Sequence, residues 1–145
     1  MTVIIVETCD IALCRHLRRV VFIDEQGVSE ADELDDKDEE AVHLLACEGA
    51  RALGSARLLV VGDTGKIGRV CVLAEARGRG IGAALIGAGV SYFRTKGGLA
   101  KVKLGAQTHA LGFYQSLGFH RSGEVYQDAG IPHQDMVLAL DARTG

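Results

Sequence analysis

The chain has 145 residues, 48% of them apolar and 24% charged, and a net charge of −3. That size and balance predict one soluble domain over 1–145, able to bury roughly 68–70% of its unfolded surface. The mild negative charge argues against nucleic acid as a partner, no apolar run approaches the ~20 residues of a membrane span, and the N-terminus lacks the basic-then-apolar order of a signal peptide.

Residues 2–7 predict a strand. Asp10 is a suitable N-cap, and Leu13, Leu17, Val20 and Val21 mark one face of a helix running to Phe22 or Gln26 and ended by Gly27. Residues 30–40 then carry eight acids against Lys37, as a loop or a short second helix. Two readings stay open for this run: a solvated loop, or an acidic rim suited to a cationic substrate. Residues 41–48, 51–61 and 66–73 predict three strands separated by the turn signals Gly49-Ala50 and Gly62-Asp63-Thr64-Gly65, an antiparallel meander. Cys9, Cys14, Cys47 and Cys71 form no C-x-x-C pair, which fits reduced thiols in a cytoplasmic protein.

The pattern changes after residue 73. Ile86, Val90 and Phe93 mark a helix within 82–96, Gly97-Gly98 stops it, and 101–106 alternates like a strand. Strand, helix, strand is a βαβ unit, so 67–73 and 101–106 should run parallel. A short helix over 109–117, strands over 119–126 and 136–140, and a turn over 128–132 complete the chain. The expected class is α/β, with one mixed sheet of six or seven strands, helices on both faces and the βαβ unit at its centre.

The turn Arg77-Gly78-Arg79-Gly80-Ile81-Gly82 opens the crossover helix. Glycines allow close backbone approach, the first helical N–H groups are free, and two guanidiniums add charge, so the stretch is an anion cradle. It lacks the Gly-Lys-Ser/Thr ending of a nucleotide P-loop. Gly78 to Ala83 does match a dinucleotide fingerprint, yet no acid occurs between Glu75 and Glu124 to hold a ribose, and there is only one βαβ unit.

Arg77-x-x-Gly80-x-Gly82 resembles the diphosphate loop of the GCN5-related N-acetyltransferases (GNAT), and Phe113-Tyr114-x-x-x-Gly118-Phe119 resembles that family's second cofactor motif. Residues 21–26, Leu104-Gly105-Ala106-Gln107 and Gly130-Ile131-Pro132-His133 are similar to its ElaA-like branch. The resemblance implies an enzyme using acetyl-CoA as cosubstrate, with no metal. It implies that Arg77, Gly78, Arg79, Gly80, Ile81 and Gly82 hold the diphosphate. It also implies that Val70, Cys71 and Val72 pair with the pantetheine arm where the two parallel strands splay, with Gln107 and Tyr114 beside it. Tyr114 matches the general acid. The acceptor would be a small-molecule or peptide amine, and a homodimer is compatible with the sequence.

An amine with pKa ~10.4 is only ~1 in 2,500 neutral at pH 7, so a base is needed, and the departing thiolate needs a proton that a tyrosine can return. Glu25, His43, His109, Glu124 and His133 are candidate bases by residue type, with Glu25 and His133 on the expected substrate side. Cys71 lies in an apolar strand with no adjacent base, so direct attack is expected over a covalent enzyme intermediate. The alternative class is a non-catalytic acyl-CoA-binding regulatory module that keeps the 77–82 cradle without depending on Tyr114.

Overall fold

The computed structural model describes residues 2–140; Met1 and 141–145, the extremes of the predicted 1–145 domain, lie outside the described residues. Strands β1 (Val3–Thr8), β2 (Val42–Glu48), β3 (Arg51–Val61), β4 (Thr64–Val72), β5 (Lys101–Gln107), β6 (His120–Asp128) and β7 (Ile131–Ala139) form one sheet in the order β1-β2-β3-β4-β5-β7-β6. The predicted sheet of six or seven strands thus has seven. All neighbours are antiparallel except β4 and β5, the strands joined by the central crossover.

Helix α1 (Ile11–Arg18) begins at the predicted cap, where an Asp10 carboxylate oxygen accepts from the Leu13 N–H at 3.0 Å. At Arg19 it loosens into a π-helical segment, Arg19–Glu25, and Gly27 ends it with φ 75°. The short helix α2 (Glu30–Glu33) follows, capped by Ser29. Cys14, Leu17 and Val21 pack on Leu45 and Cys71 on one face of the sheet. On the other face lie the crossover helix α3 (Ile81–Lys96), through Leu85, Ile86, Val90 and Phe93, and the small helix α4 (Leu111–Ser116), through Leu111 and Tyr114.

Two expectations are corrected. The turn predicted over 128–132 contracts to Ala129 and Gly130, both with positive φ (53° and 76°), the backbone demanded by a tight two-residue hairpin. Pro132 and His133 therefore stand in β7, with Pro132 opposite Gln127 and His133 between Tyr126 and Gln107. Pro132 is tolerated because it lies beyond the last β5 partner, so no ladder bond to β5 is lost there.

The 30–40 run is solvated only in part: Glu30, Asp32, Asp36, Glu39 and Glu40 are exposed, but the other three acids form a cluster. Glu33 and Asp38 are buried, and with Asp35 they bind arginines from three other elements. Arg18 donates to Glu33 and, in a fork, to Asp38 at 2.9 Å on both arms. Arg57 forks onto Asp35 at 2.8 and 2.9 Å and reaches Asp38 at 3.2 Å, while Arg15 adds a bond to Asp38 at 2.9 Å. Carboxylates this buried persist only with such partners.

Candidate active site

The site is built by a failure of pairing. β4 and β5 hydrogen-bond only over Thr64–Lys66 with Lys101–Lys103. From Ile67 and Leu104 onward they separate, leaving backbone groups unpaired in the middle of a sheet. A β-bulge contributes to the divergence. Arg57 faces Gly68 but Ser55 faces Cys71, so Arg69 and Val70 together stand opposite Ala56, and Arg69 takes φ 51°. Leu73 donates to Leu53 in β3. By strand alternation the Val70 and Val72 backbones face the gap, whereas Cys71 turns its backbone to β3. The Cys71 side chain is buried, and burial pushes its thiol up to about 12, which removes it as a nucleophile.

At the carboxyl end of β4 lies the glycine loop. Gly78 and Gly80 have φ 81° and 78°, and nothing stands within 4 Å of a Cβ built on either, so glycine is required there by backbone conformation and not by space. Gly80 precedes α3, and Ala84 makes the first intrahelical bond to it at 3.0 Å. The N–H groups of Ile81, Gly82 and Ala83 are thereby free at the positive end of a 16-residue helix. Arg77 donates through Nε to the Val72 carbonyl at 3.1 Å and forks onto Glu25 at 2.5 and 2.8 Å. Arg79 pairs with Glu48 at 2.5 Å. Hydrogen bonding to Arg77 holds the Glu25 carboxyl below its usual range, and Glu48 is lowered by Arg79 likewise.

A continuous cleft of about 950 Å³ runs from this loop along the β4–β5 gap to the buried ion cluster. Of the predicted residues, Glu25, Val70, Cys71, Val72, Arg77, Gly78, Gly80, Ile81, Gly82, Gln107, Tyr114 and His133 line it; Arg79 does not. Among the other candidate bases, His109 lines the cleft, while Glu124 does not and His43 is buried against the Asp38 carbonyl at 2.8 Å. Tyr114 stands on α4, half-buried, edge-on to Phe113 and Phe119 at 5.0 and 6.4 Å between ring centres. Burial raises its pKa, so the phenol keeps its proton at neutral pH.

Across the gap, His133 Nδ1 lies 2.7 Å from the Ile131 carbonyl. A carbonyl can only accept, so Nδ1 carries a proton, and in the neutral ring the lone pair is on Nε2. The ring stacks on Tyr126, whose hydroxyl donates to Asp135 at 2.7 Å, and Asp135 pairs with Lys103 at 3.2 Å. Gln26 and Gln107 are joined at 3.0 Å, and Gln107 meets His109 at 2.7 Å. Gln26, beside Glu25, lines the cleft as well, and Arg69, Tyr126 and Asp135 line it without having been expected. Local patterns carry no sign of them, since bulges and cross-strand stacks depend on pairing. Among the described residues no His, Cys, Asp and Glu group could hold a metal ion.

An acetyltransferase (GNAT) domain matches residues 20–140. The chain is 41% identical over 120 residues to the uncharacterized protein YyaT of Bacillus subtilis, covering 81% of this chain and 80% of that one. It is 36% identical to Escherichia coli ElaA over 125 residues, 83% of this chain and 82% of that one. The ElaA crystal structure superposes with a TM-score of 0.83 at 28% identity, covering 94% of this chain and 99% of the other. An acyl-CoA N-acyltransferase from Pseudomonas aeruginosa superposes at 0.81, also 28% identical, over 95% of this chain and 99% of that one.

Proposed function

The chain belongs to the GNAT acetyltransferase family, and on that premise we propose that it transfers acetyl from acetyl-CoA to a primary amine by direct attack in a ternary complex. The observation that carries this reading is the gap between β4 and β5, which joins a positive-φ glycine loop at a helix N-terminus to a protonated tyrosine. The groups present fit the cosubstrate. The N–H groups of 81–83 and the open glycine loop suit a diphosphate, and the gap-facing Val70 backbone and Val72 N–H suit an amide-bearing arm. Acetyl-CoA supplies the activated thioester; the remaining work falls to residues of this chain.

His133 Nε2 takes the proton from the attacking amine, directly or through one water. Glu25 is the weaker base, because its bond to Arg77 holds it ionised and lowers its proton affinity. Tyr114 Oη returns a proton to the departing thiolate. The raised pKa guarantees that this proton is present, at the expense of a harder transfer than from a solvent-exposed tyrosine. Arg77 and Arg79 are each held by a carboxylate in this state, so a diphosphate engages them by drawing them from Glu25 and Glu48. All four cysteines are free, in keeping with the cytoplasm.

Release of free thiol from acetyl-CoA with an amine panel tests this. The wild type should turn over, and Tyr114→Phe should fall roughly 10²-fold in kcat while still binding acetyl-CoA. Tight cofactor binding with no turnover on any amine favours a binding module, and absence of any acetyl-CoA-induced rise in Tm rules out both.

A further inference from the structure

From the geometry of the β4 bulge we infer that the acceptor amine carries a carboxylate, held by Arg69; this rests on the acyl-transfer reading above. The bulge sets the direction. The glycine loop lies beyond the carboxyl end of β4, and the gap-facing backbones are Val72 and then Val70. Arg69 is the next residue, about 3.3 Å further along a strand. An arm that starts at the loop and follows β4 delivers its reactive end beside Arg69.

Arg69 is an unusual residue for a plain structural role. It holds a left-handed backbone, φ 51°, which costs a non-glycine residue on the order of 1 kcal/mol and persists where the surroundings enforce it. Its Nη2 donates to the Glu33 carbonyl at 3.0 Å and, at longer range, to the Asp32 carbonyl (3.5 Å) and Asp35 Oδ2 (3.4 Å). Its Nε lies 3.7 Å from Glu33 Oε1 and is buried without a hydrogen bond, as is the Nε of Arg57 beside it. A guanidinium has five donors, and most of those on Arg69 are unused.

Within the cluster three guanidiniums (Arg18, Arg57, Arg69) meet three carboxylates (Glu33, Asp35, Asp38), and the exposed Arg15 adds a bond to Asp38 from outside. Arg18 and Arg57 hold a carboxylate at 2.9 and 2.8 Å, whereas Arg69 comes no nearer than 3.4 Å to one, so Arg69, which lines the cleft, is the cluster cation with least compensation. Burial, then the neighbouring Arg57, push its pKa down, whereas Asp38 and Glu33 outweigh burial to hold Arg18 up. Asp32 lines the same end but is solvent-exposed. A planar carboxylate matches an unfilled guanidinium edge. A free amino acid is the smallest primary amine that carries a carboxylate.

Thiol release should be measured with free L-amino acids paired with their primary amides. The acids should exceed the amides in kcat/KM. Arg69→Gln should cut kcat/KM for the acids roughly 30-fold, mainly through KM, and abolish the preference, as expected for losing a charged hydrogen-bonding partner. Arg69→Lys should recover part of it. In parallel, with coenzyme A present, millimolar amino acid should raise the Tm of the wild type and of Arg69→Lys, but not of Arg69→Gln. Amides accepted as well as acids, or an Arg69→Gln loss equal for both, overturns the inference and leaves the acyltransferase reading intact. An Arg69-dependent rise in Tm without any turnover does the reverse. If Arg69→Gln does not fold, the acid-to-amide ratio of the wild type and the Arg69→Lys values decide.

Discussion

Two side chains lining the cleft have hydrogen bonds that, on the proposed reading, suit them to different work. His133 donates its Nδ1–H to a backbone carbonyl, so in the neutral ring Nε2 is the nitrogen that can accept. Glu25 sits at the end of the π-helical segment and clamps the arginine that opens the glycine loop. Replacing each by glutamine separates the roles. His133→Gln should lower kcat/KM roughly 10²-fold with acetyl-CoA affinity unchanged, the size expected for losing a general base. Glu25→Gln should instead tighten acetyl-CoA binding, because Arg77 no longer has a competing carboxylate. Calorimetric titration with acetyl-CoA beside steady-state kinetics reads both. If Glu25→Gln shows the large kinetic loss and His133→Gln none, the assignments are reversed. Both residues could be picked from the chain by type and by family resemblance, but not their roles. The hairpin contraction that moved His133 from a turn into β7, and the 52-residue separation of Arg77 from Glu25, lie beyond any local pattern.

At the scale of elements, the glycine loop is held by the seating of α3 on β4. That seating depends on missing side chains. A Cβ on Gly65 would stand 2.5 Å from the Phe93 ring, which is fully buried. The ring cannot swing away, so Gly65→Ala should cost about 1–3 kcal/mol by overpacking. Gly87, on the exposed face of the same helix, has nothing within 4 Å of its Cβ position. There Gly87→Ala should stabilise by about 0.5–1 kcal/mol through helix propensity alone. Thermal unfolding should thus move in opposite directions, by a few degrees per kcal/mol for a chain of this size. A shared sign would mean that α3 and β4 do not pack as described. Elements of this kind are legible from sequence because their signals are short-range: the 3.6-residue period of α3, its Gly97 stop, and the Asp10 cap. The gap between β4 and β5 has no such signal. It follows from the end of a ladder at Lys66, and only the resemblance to a known family implied it.

For the whole molecule, the ion cluster joins α1, α2 and the segment after it to β3 and β4, and so fastens that side of the cleft to the sheet. An acidic run reads locally as solvated. What holds Glu33, Asp35 and Asp38 is four arginines spread from Arg15 to Arg69, far apart in the chain. The cluster should make stability sensitive to acid. Burial is the largest single influence on Asp38 and opposes its ionisation, but the bonds from Arg18 and Arg15, with Arg57, together outweigh it and hold the carboxyl well below the usual range. Asp35 is lowered as well, again against burial, chiefly by Arg57. A depressed folded pKa means that the unfolded chain takes up the proton first. The stabilisation is therefore complete above the unfolded value of about 4 and drains away as pH falls below it. Denaturant midpoints should stay level from pH 7 to about 5 and drop steeply beneath pH 4. Asp38→Asn leaves Arg18 buried beside one carboxylate fewer. It should cost about 3–5 kcal/mol at pH 7, a large part of the 5–15 kcal/mol typical of a domain, and the variant's profile should be flatter in acid because the titrating group is gone. A variant as stable as the parent at pH 7, or one with the parent's full acid slope, would mean that the cluster decorates this side of the cleft without holding it.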